Sequence, residues 1–555
     1  MKCKRYCFIT FLLILLWIPC DGVAALFEQL AVDSRSNALG NAVTADPEGT
    51  ISAHYNPAGL DRIRGTVVNL GITYVPVLNF QGKFTQSTDP ATGKLWAPFG
   101  GWYNNGIDPE AGHDSSTKPS VELPIIGVLP FNLLAAPNLG IAHHAKNSPF
   151  AFGFGVYVPF GAGMVHEDPS DPYRFLGQRM SVLRMVIGPT VSYRVAKSLS
   201  IGASFGMGTA YMGFVTRMRA PNDMVALTGV LGESTAGLEI PILSELTLPP
   251  PWFGGGLSPY EDMGGLKFFG EDNLTTSYNT GFLWEPFNWF SLGGVYQSES
   301  SADMRGQYTF DYGKSFQNTI NWLGSSPTLI VVGAMLDLPT SCPPEVRGNM
   351  TTKVIFPARA QFGMKLQPHR RIKFLMDAHW TQWSAWKSID IVFDRDNELL
   401  RLARILGYQG GSRTLSMKND FKDTWHFSYG LELQPLNNLT LRLGYEPRPT
   451  SISEEYFGPI PMGDMTLYSV GLSLDLKPPD RRYKGLFELM EQLLAPDKVD
   501  LGFTYMTSEY KVRFNQSKTF NSTNFTDIVY SPFAGMEYEM KATAYFLSLN
   551  MTFLF

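Results

Sequence analysis

The chain has 555 residues and a net charge of −5; charged residues make up 17% of it and aromatics 13%, and its mean hydropathy lies near zero. So small a net charge leaves no basic field for nucleic acid, and the hydropathy excludes a bundle of membrane helices. Many aromatics on a polar average suit a structure that is apolar outside and wet inside, and large β-barrels use such a length in one domain.

Lys2, Lys4 and Arg5 precede an apolar run from Phe8 to Ile18, and Val23-Ala24-Ala25 follows. The run is too short to span a bilayer, so residues 1–25 read as a secretory signal peptide cleaved after Ala25. Cys20 would suggest a lipoprotein, but Trp17-Ile18-Pro19 is a poor lipidation box. Cleavage removes Cys3, Cys7 and Cys20, leaving Cys342 without an intramolecular disulfide partner. No Cys/His cluster has metal-ligand spacing, so neither metal nor cofactor is expected. Beyond the signal there is no apolar run of roughly 18 residues, so any membrane span must be built of strands.

Residues 26–64 hold too few apolar side chains for a core of their own, and Asn56-Pro57 with Gly59 reads as a turn. This segment is expected to lean on a surrounding wall as a plug, anchored at Asn56, Pro57 and Ala58. From residue 65 a period of two sets in. Met185, Ile187, Val191 and Tyr193 alternate with Arg184, Gly188, Thr190, Ser192 and Arg194; Leu439, Leu441, Leu443 and Tyr445 alternate with Thr440, Arg442 and Gly444. Charges keep to one parity, as they must where the other faces lipid. Short connections with turn chemistry, such as Ala196-Lys197-Ser198, alternate with long ones rich in Gly, Pro, Asn and Asp. The trace predicts an all-β fold: an antiparallel transmembrane β-barrel of about fourteen strands over 65–555, with an inserted outer loop at 221–277 and a periplasmic helix at 483–495. The last strand is the clearest, with Tyr545, Leu547, Leu549, Met551, Phe553 and Phe555 on one parity.

Pro159 cannot complete a ladder hydrogen bond, so it marks either a break within a strand or that strand's end at the outer loop. Gly161 and Gly163 would tolerate a bent backbone. Lumen parity places Arg184, Arg194, Arg359, Lys365, Lys373 and Arg442 inside. Any of these arginines can grip a ligand carboxylate or pair with lumen acids such as Asp377 and Asp500. Trp380, Trp383 and Trp386 read as an interface girdle. No enzyme is expected: His143-His144 lacks an acidic third ligand nearby, and Ser428 two residues after His426 is a spacing common by chance.

Several segments carry a family resemblance. Asn56-Pro57-Ala58-Gly59, preceded by Gly40-Asn41-Ala42 and Ala45-Asp46, resembles the N-terminal hatch of FadL-type outer-membrane transporters. Phe154 to Gly161 is similar to that family's third strand, Trp380-Thr381-Gln382-Trp383-Ser384 to its ninth, Arg442 to Pro447 to its eleventh, and Asp500 to Tyr505 to its thirteenth. The resemblance covers nearly the whole mature chain, with the 221–277 loop and the 483–495 helix as apparent insertions. It implies an outer-membrane channel for long-chain fatty acids, or for aromatic hydrocarbons, whose hatch closes the lumen. It also implies a ligand pocket near the hatch and a lateral gap at Pro159, Phe160 and Gly161 that opens sideways into membrane lipid. By the same resemblance Phe27 is a pocket residue contributed by the plug, and Arg217 and Arg219 follow a strand that carries a pocket cation. Phe555 at the tip of the last strand resembles the signal read by barrel-assembly machinery. Uptake would be passive. A general porin is the competing expectation, opposed by the plug; an adhesive barrel acting through its outer loops is another.

Overall fold

A computed structural model describes residue 28 and residues 32–101, 106–120, 122–123, 127–128, 134–238, 240–243, 246–405, 408–418, 421–452, 463–476, 495–513 and 532–555. The signal peptide, Phe27 and all but the last residue of the 483–495 helix lie outside these residues.

Fourteen antiparallel strands close into one barrel. They are β1 (Gly65–Gln86), β2 (Ala135–His144), β3 (Phe150–Val165), β4 (Arg179–Ala196), β5 (Leu199–Met218) and β6 (Gly264–Phe287). Then come β7 (Phe290–Gln297 with Ser300–Tyr312), β8 (Glu345–Phe356 with Arg359–His369), β9 (Ile372–Thr381 with Ser388–Phe393) and β10 (Thr414–Lys418 with Thr424–Leu436). β11 (Leu439–Arg448), β12 (Met465–Asp475), β13 (Lys498–Val512) and β14 (Met536–Leu554) complete the wall. Closure is by β14 on β1, from Val67↔Leu554 to Gln86↔Met536. A closed ladder leaves no edge with unpaired backbone groups, which hydrocarbon would not tolerate.

The outer face carries exposed apolar side chains at alternate positions: Phe150, Phe152 and Phe154 on β3, Ile201, Phe205 and Met207 on β5, and Leu441, Leu443 and Tyr445 on β11. This is the lipid-facing belt. Above it the outer face turns polar. Lys267 is exposed on β6, and Lys511–Glu539 (2.8 Å) and Lys541–Glu509 (3.1 Å) pair across β13 and β14. The strands therefore continue past the bilayer on the outer side.

That continuation corrects the expected 221–277 loop. Residues 264–277 are the upper part of β6, with Leu266 and Phe268 buried inward; glycines and charges around them hide the period of two. The excursion that remains holds a helix at Asp223–Ser234, whose cap Asn222 accepts from the Val225 amide, and a small hairpin of Ile240–Leu243 with Leu246–Leu248. The interior of the upper barrel is apolar, packed by Phe80, Phe84, Phe268, Met304, Phe310 and Tyr538 and covered by Phe316 and Ile320 of the helix Lys314–Leu323.

The lower lumen is filled by residues 32–64. Asp33 caps a short helix, Ser34–Ala38, accepting from the amides of Arg35 and Ser36 (both 3.1 Å). Asn56 caps the 3-10 turn Pro57–Arg62, where proline at the first position has no amide to leave unpaired. Wall glycines let this backbone come close. A Cβ at Gly202 of β5 would strike the backbone of Pro57 and Ala58, and one at Gly444 of β11 would strike that of Leu39 and Gly40.

Candidate functional site

Three features meet where the apolar upper lumen reaches the hatch. The first is a flaw in the wall. Pairing between β2 and β3 runs from His144↔Ala151 to Leu139↔Val156 and stops. Beyond it, Ala135–Asn138 pair with β1, while β3 is held on its β4 side, with a bulge between Tyr157 and Phe160 where Pro159 sits. Among the described residues the ladder on the β2 side of β3 resumes at Gly163 to Val165, against residues 118–120. Phe160 is instead bridged by Glu28, from the start of the hatch.

The second feature is a small cavity beside this flaw. Its wall includes Pro159, Phe160 and Tyr157 of β3, Arg184 of β4, Phe356 and Arg359 of β8, Trp383, and Glu28 and His54 from the hatch segment. Trp383 and Trp386 are buried in a short 3-10 turn that interrupts β9, which corrects the girdle reading: leaving the strand at Gln382 swings both rings into the lumen. There the Phe160 ring meets Phe356 edge-on at 5.4 Å and lies tilted against Trp386 at 5.6 Å and Trp383 at 6.2 Å. Trp380 stays on the outer parity, opposite Trp425.

Two buried arginines face this aromatic wall. Arg184, cross-strand partner of Phe160, donates to Ser277 Oγ (2.7 Å) and lies 5.6 Å over the Phe356 ring. Arg359 is 6% exposed and Arg184 7%. Neither forms an ion pair with an acid among the described residues, and both leave the guanidinium Nε without a hydrogen-bond partner. A buried guanidinium without a carboxylate is costly unless something else meets its charge.

The third feature lies below. Arg35 pairs with Asp46 (2.7 Å), Glu48 (2.8 Å) and Glu432 (3.5 Å). Asp46 also meets Arg62 (2.7 Å), Lys365 (3.5 Å) and Lys373 (3.4 Å). Arg442 joins Glu432 (3.0 Å) to Asp500 (2.8 Å), and Arg194 holds Asp61 (2.8 Å). This network ties the hatch to the wall. Asn56 adds two donations, to Thr44 and to the Phe282 carbonyl of β6 (both 2.9 Å).

The sequence-named residues thus separate. Arg184, Arg359, Pro159 and Phe160 come together at the cavity; Gly161 follows on β3. Arg442 belongs to the lower network. Arg217 is held by Asp262 (2.7 Å) and Asp311 (2.5 Å) on the outer side of β5. Arg219 is buried against Asp108 (2.7 Å), among the rings of Phe175 and Phe533; neither lines the cavity. One cluster was missed altogether. His379, His426 and Glu446, on three neighbouring strands, gather within metal-ligand range. His379 bonds Ser428 Oγ (2.8 Å) and its ring stacks on His426. Glu446 Oε1 takes both His426 (2.9 Å) and the Arg448 guanidinium (2.9 Å), and Oε2 accepts from Asn41 of the hatch (2.8 Å). With a guanidinium already on that oxygen, the cluster acts as a polar lock between hatch and wall.

A closed fourteen-stranded barrel with an apolar belt and a plugged lumen is an outer-membrane channel. Residues 22–555 match the family described as outer membrane protein transport protein (OMPP1/FadL/TodX), and the chain belongs to it. In fold it is similar to a Pseudomonas aeruginosa FadL homologue, at 16% identity and a TM-score of 0.62, covering 96% of this chain and 100% of that one. It is also similar to the toluene transporter TodX of P. putida (14%, TM-score 0.56, 94% and 98% covered) and to the toluene transporter TbuX of Ralstonia pickettii (15%, 0.52, 94% and 98%). No curated protein matches it by sequence.

Proposed function

We propose that this channel takes up hydrophobic carboxylic acids, long-chain fatty acids foremost, and releases them sideways beside Pro159. The observation that carries this reading is the pair of buried arginines, Arg184 and Arg359, without an acid partner among the described residues, at the foot of an apolar lumen. An acyl tail matches the aromatic wall of Phe160, Phe356 and Trp383, and a carboxylate matches a guanidinium. The ion network beneath supports a lateral route, because an axial one would have to undo it. Membrane lipid then receives the cargo, and Phe555 is the residue by which assembly machinery would recognise β14.

The test is uptake of labelled oleate and of toluene by cells lacking their own channel. Oleate uptake is expected with the native protein and to fall about tenfold or more with Arg359→Met, the loss expected for one charge-assisted contact worth roughly 1.5–3 kcal/mol. Toluene entry alone would favour a second reading, an aromatic hydrocarbon channel. The rings around the cavity and the toluene transporters among its structural relatives lend that reading support.

A further inference from the structure

A second lapse in the wall lies between β6 and β7, and its cause is a mismatch of pleats. Below it the pairing runs from Phe287↔Phe290 to Asn279↔Gln297, and above it from Glu271↔Arg305 to Gly264↔Tyr312. Residues 272–278 and 298–304 form no ladder between them, although the register is the same on either side. β6 bulges against β5 between Asp272 and Thr275, so its buried positions change from Leu266 and Phe268 to Thr275 and Asn279. β7 makes the same change at the break Ser298-Glu299, from Ala302 and Ser300 above to Gln297 and Val295 below. The two changes are staggered. Between them buried Thr275 comes level with exposed Ser301, and strands so far out of phase cannot pair. Local bonds close the two ends of this seam: the Ser298 amide donates to the Tyr278 carbonyl (2.9 Å), the Tyr278 amide to Ser298 Oγ (3.0 Å), and the Asp303 amide to the Asp272 carboxylate (2.8 Å). Inside it the hydroxyls of Thr275 and Ser300 are buried without a hydrogen-bond partner among the described residues. Its foot opens on the cavity, which Ser277, Asn279, Gln297 and Ser298 line and where Ser277 accepts from Arg184. The exposed rings of Tyr278 and Tyr296, 6.2 Å apart, mark the lower end as the edge of the lipid belt. A lapse above that edge is tolerated because water reaches it.

We propose that this seam is a water vent: a hydroxyl-lined side port between the cavity and the outer surface, through which water meets the Arg184 guanidinium in the unloaded channel and leaves when an apolar cargo arrives. Cargo descending the apolar lumen occupies the duct behind it, and the hatch closes the barrel below. Water in the cavity then needs a third way out. The seam suits water, whose buried sites take about two to four polar partners, whereas an acyl chain or an aromatic ring there would leave the hydroxyls unpaired. Because the vent ends on the hatch, it opens no path to the periplasm. It serves a carboxylic acid and an aromatic hydrocarbon alike, so the inference rests on uptake of hydrophobic molecules and not on which one is carried.

Hydroxyl radicals made from water in place oxidise side chains that water touches. Ser300→Cys, in a Cys342→Ser background, reports the seam in the full-length protein in outer membranes. Its oxidation is expected to drop by an order of magnitude when Thr276→Trp, at a position exposed on the outer face, covers the seam from outside. Oxidation unchanged by that cover means that water comes down the duct, and no oxidation in either protein means that the seam is dry; both results overturn the vent. Its part in transport is read with oleate and with toluene. Thr275→Val with Ser300→Ala removes both hydroxyls, and uptake of whichever cargo the native channel admits should fall severalfold while affinity in detergent stays the same. Thr275→Ser, which keeps its hydroxyl, should retain uptake. Uptake indifferent to the double change overturns the venting role, and a loss of affinity along with uptake assigns the hydroxyls to packing and overturns it too. If the native channel admits neither cargo, the uptake reading itself fails, while the oxidation result still decides whether the seam carries water.

Discussion

The two halves of the lumen obey one rule of alternation and reach opposite ends with it. In the upper half the inward positions are Phe80, Phe268, Met304, Phe310 and Tyr538, dry and aromatic. In the lower half they are Arg194, Lys365, Lys373, Glu432, Arg442 and Asp500, which pair with Asp61, Asp46 and Arg35 of the hatch and with one another. Period two fixes only that these residues face inward. Their chemistry records what each half must hold: apolar matter above, and below a folded segment too poor in apolar residues to hold itself.

The sharpest way to break this contrast is to remove Asp46, where Arg35, Arg62, Lys365 and Lys373 converge. Asp46→Leu removes the acid shared by four cations and leaves them, among the described residues, only Glu48, Glu285 and Glu432; removing one side of a buried pair costs about 3–5 kcal/mol. The hatch should loosen and cells should admit large polar antibiotics, measured as a drop in their inhibitory concentration. Phe310→Ala in the upper half also costs about 3–5 kcal/mol in packing, yet should slow oleate uptake while leaving the barrier to polar antibiotics intact. If both variants leak alike, the halves are not distinct in function.

A gentler probe is Gly444→Val. The added side chain meets Leu39 and Gly40 backbone that cannot yield, at an overpacking cost of about 1–3 kcal/mol. It should raise hydrogen exchange in the hatch while β11 stays protected. The smallest effect concerns pH. Burial pushes Asp46 up, but Lys373, Arg62, Arg35 and Lys365 together hold it well below the ordinary carboxylate range. A depressed acid contributes its full stabilisation above its unfolded value, near 4, and loses it only as pH falls through the folded value. Protection of the hatch amides, with exchange corrected for its intrinsic dependence on pH, should therefore be flat from pH 7 to about pH 5 and fall only in stronger acid.

The barrel was legible in the sequence because lipid imposes alternation locally, as at Leu439 to Tyr445, and because Arg194, Arg359 and Arg442 keep to its inner parity. Contacts between distant segments were not legible. Asn41 with Glu446, or His379 with His426, depends on register set by turns and bulges far from either residue. Trp383 was misread for a local reason: one non-extended residue, Gln382, ends the alternation and turns the next ring inward. Arg217 and Arg219 follow Gly213, where parity alone assigns no partner, and Asp262 and Asp108 claim them from outer segments. Glu28 offered no signal, being one acid in a segment without periodicity.

The polar outer surface above the lipid belt has a consequence for where cargo is met. From Leu274 to the top of β6 runs roughly 30 Å of strand at the usual rise per residue, faced with ion pairs outside and aromatic rings within. Such a tube raises the apolar interior well above the lipid belt, so that in the uptake proposed above a water-shy molecule would leave the aqueous layer before it reached the membrane surface.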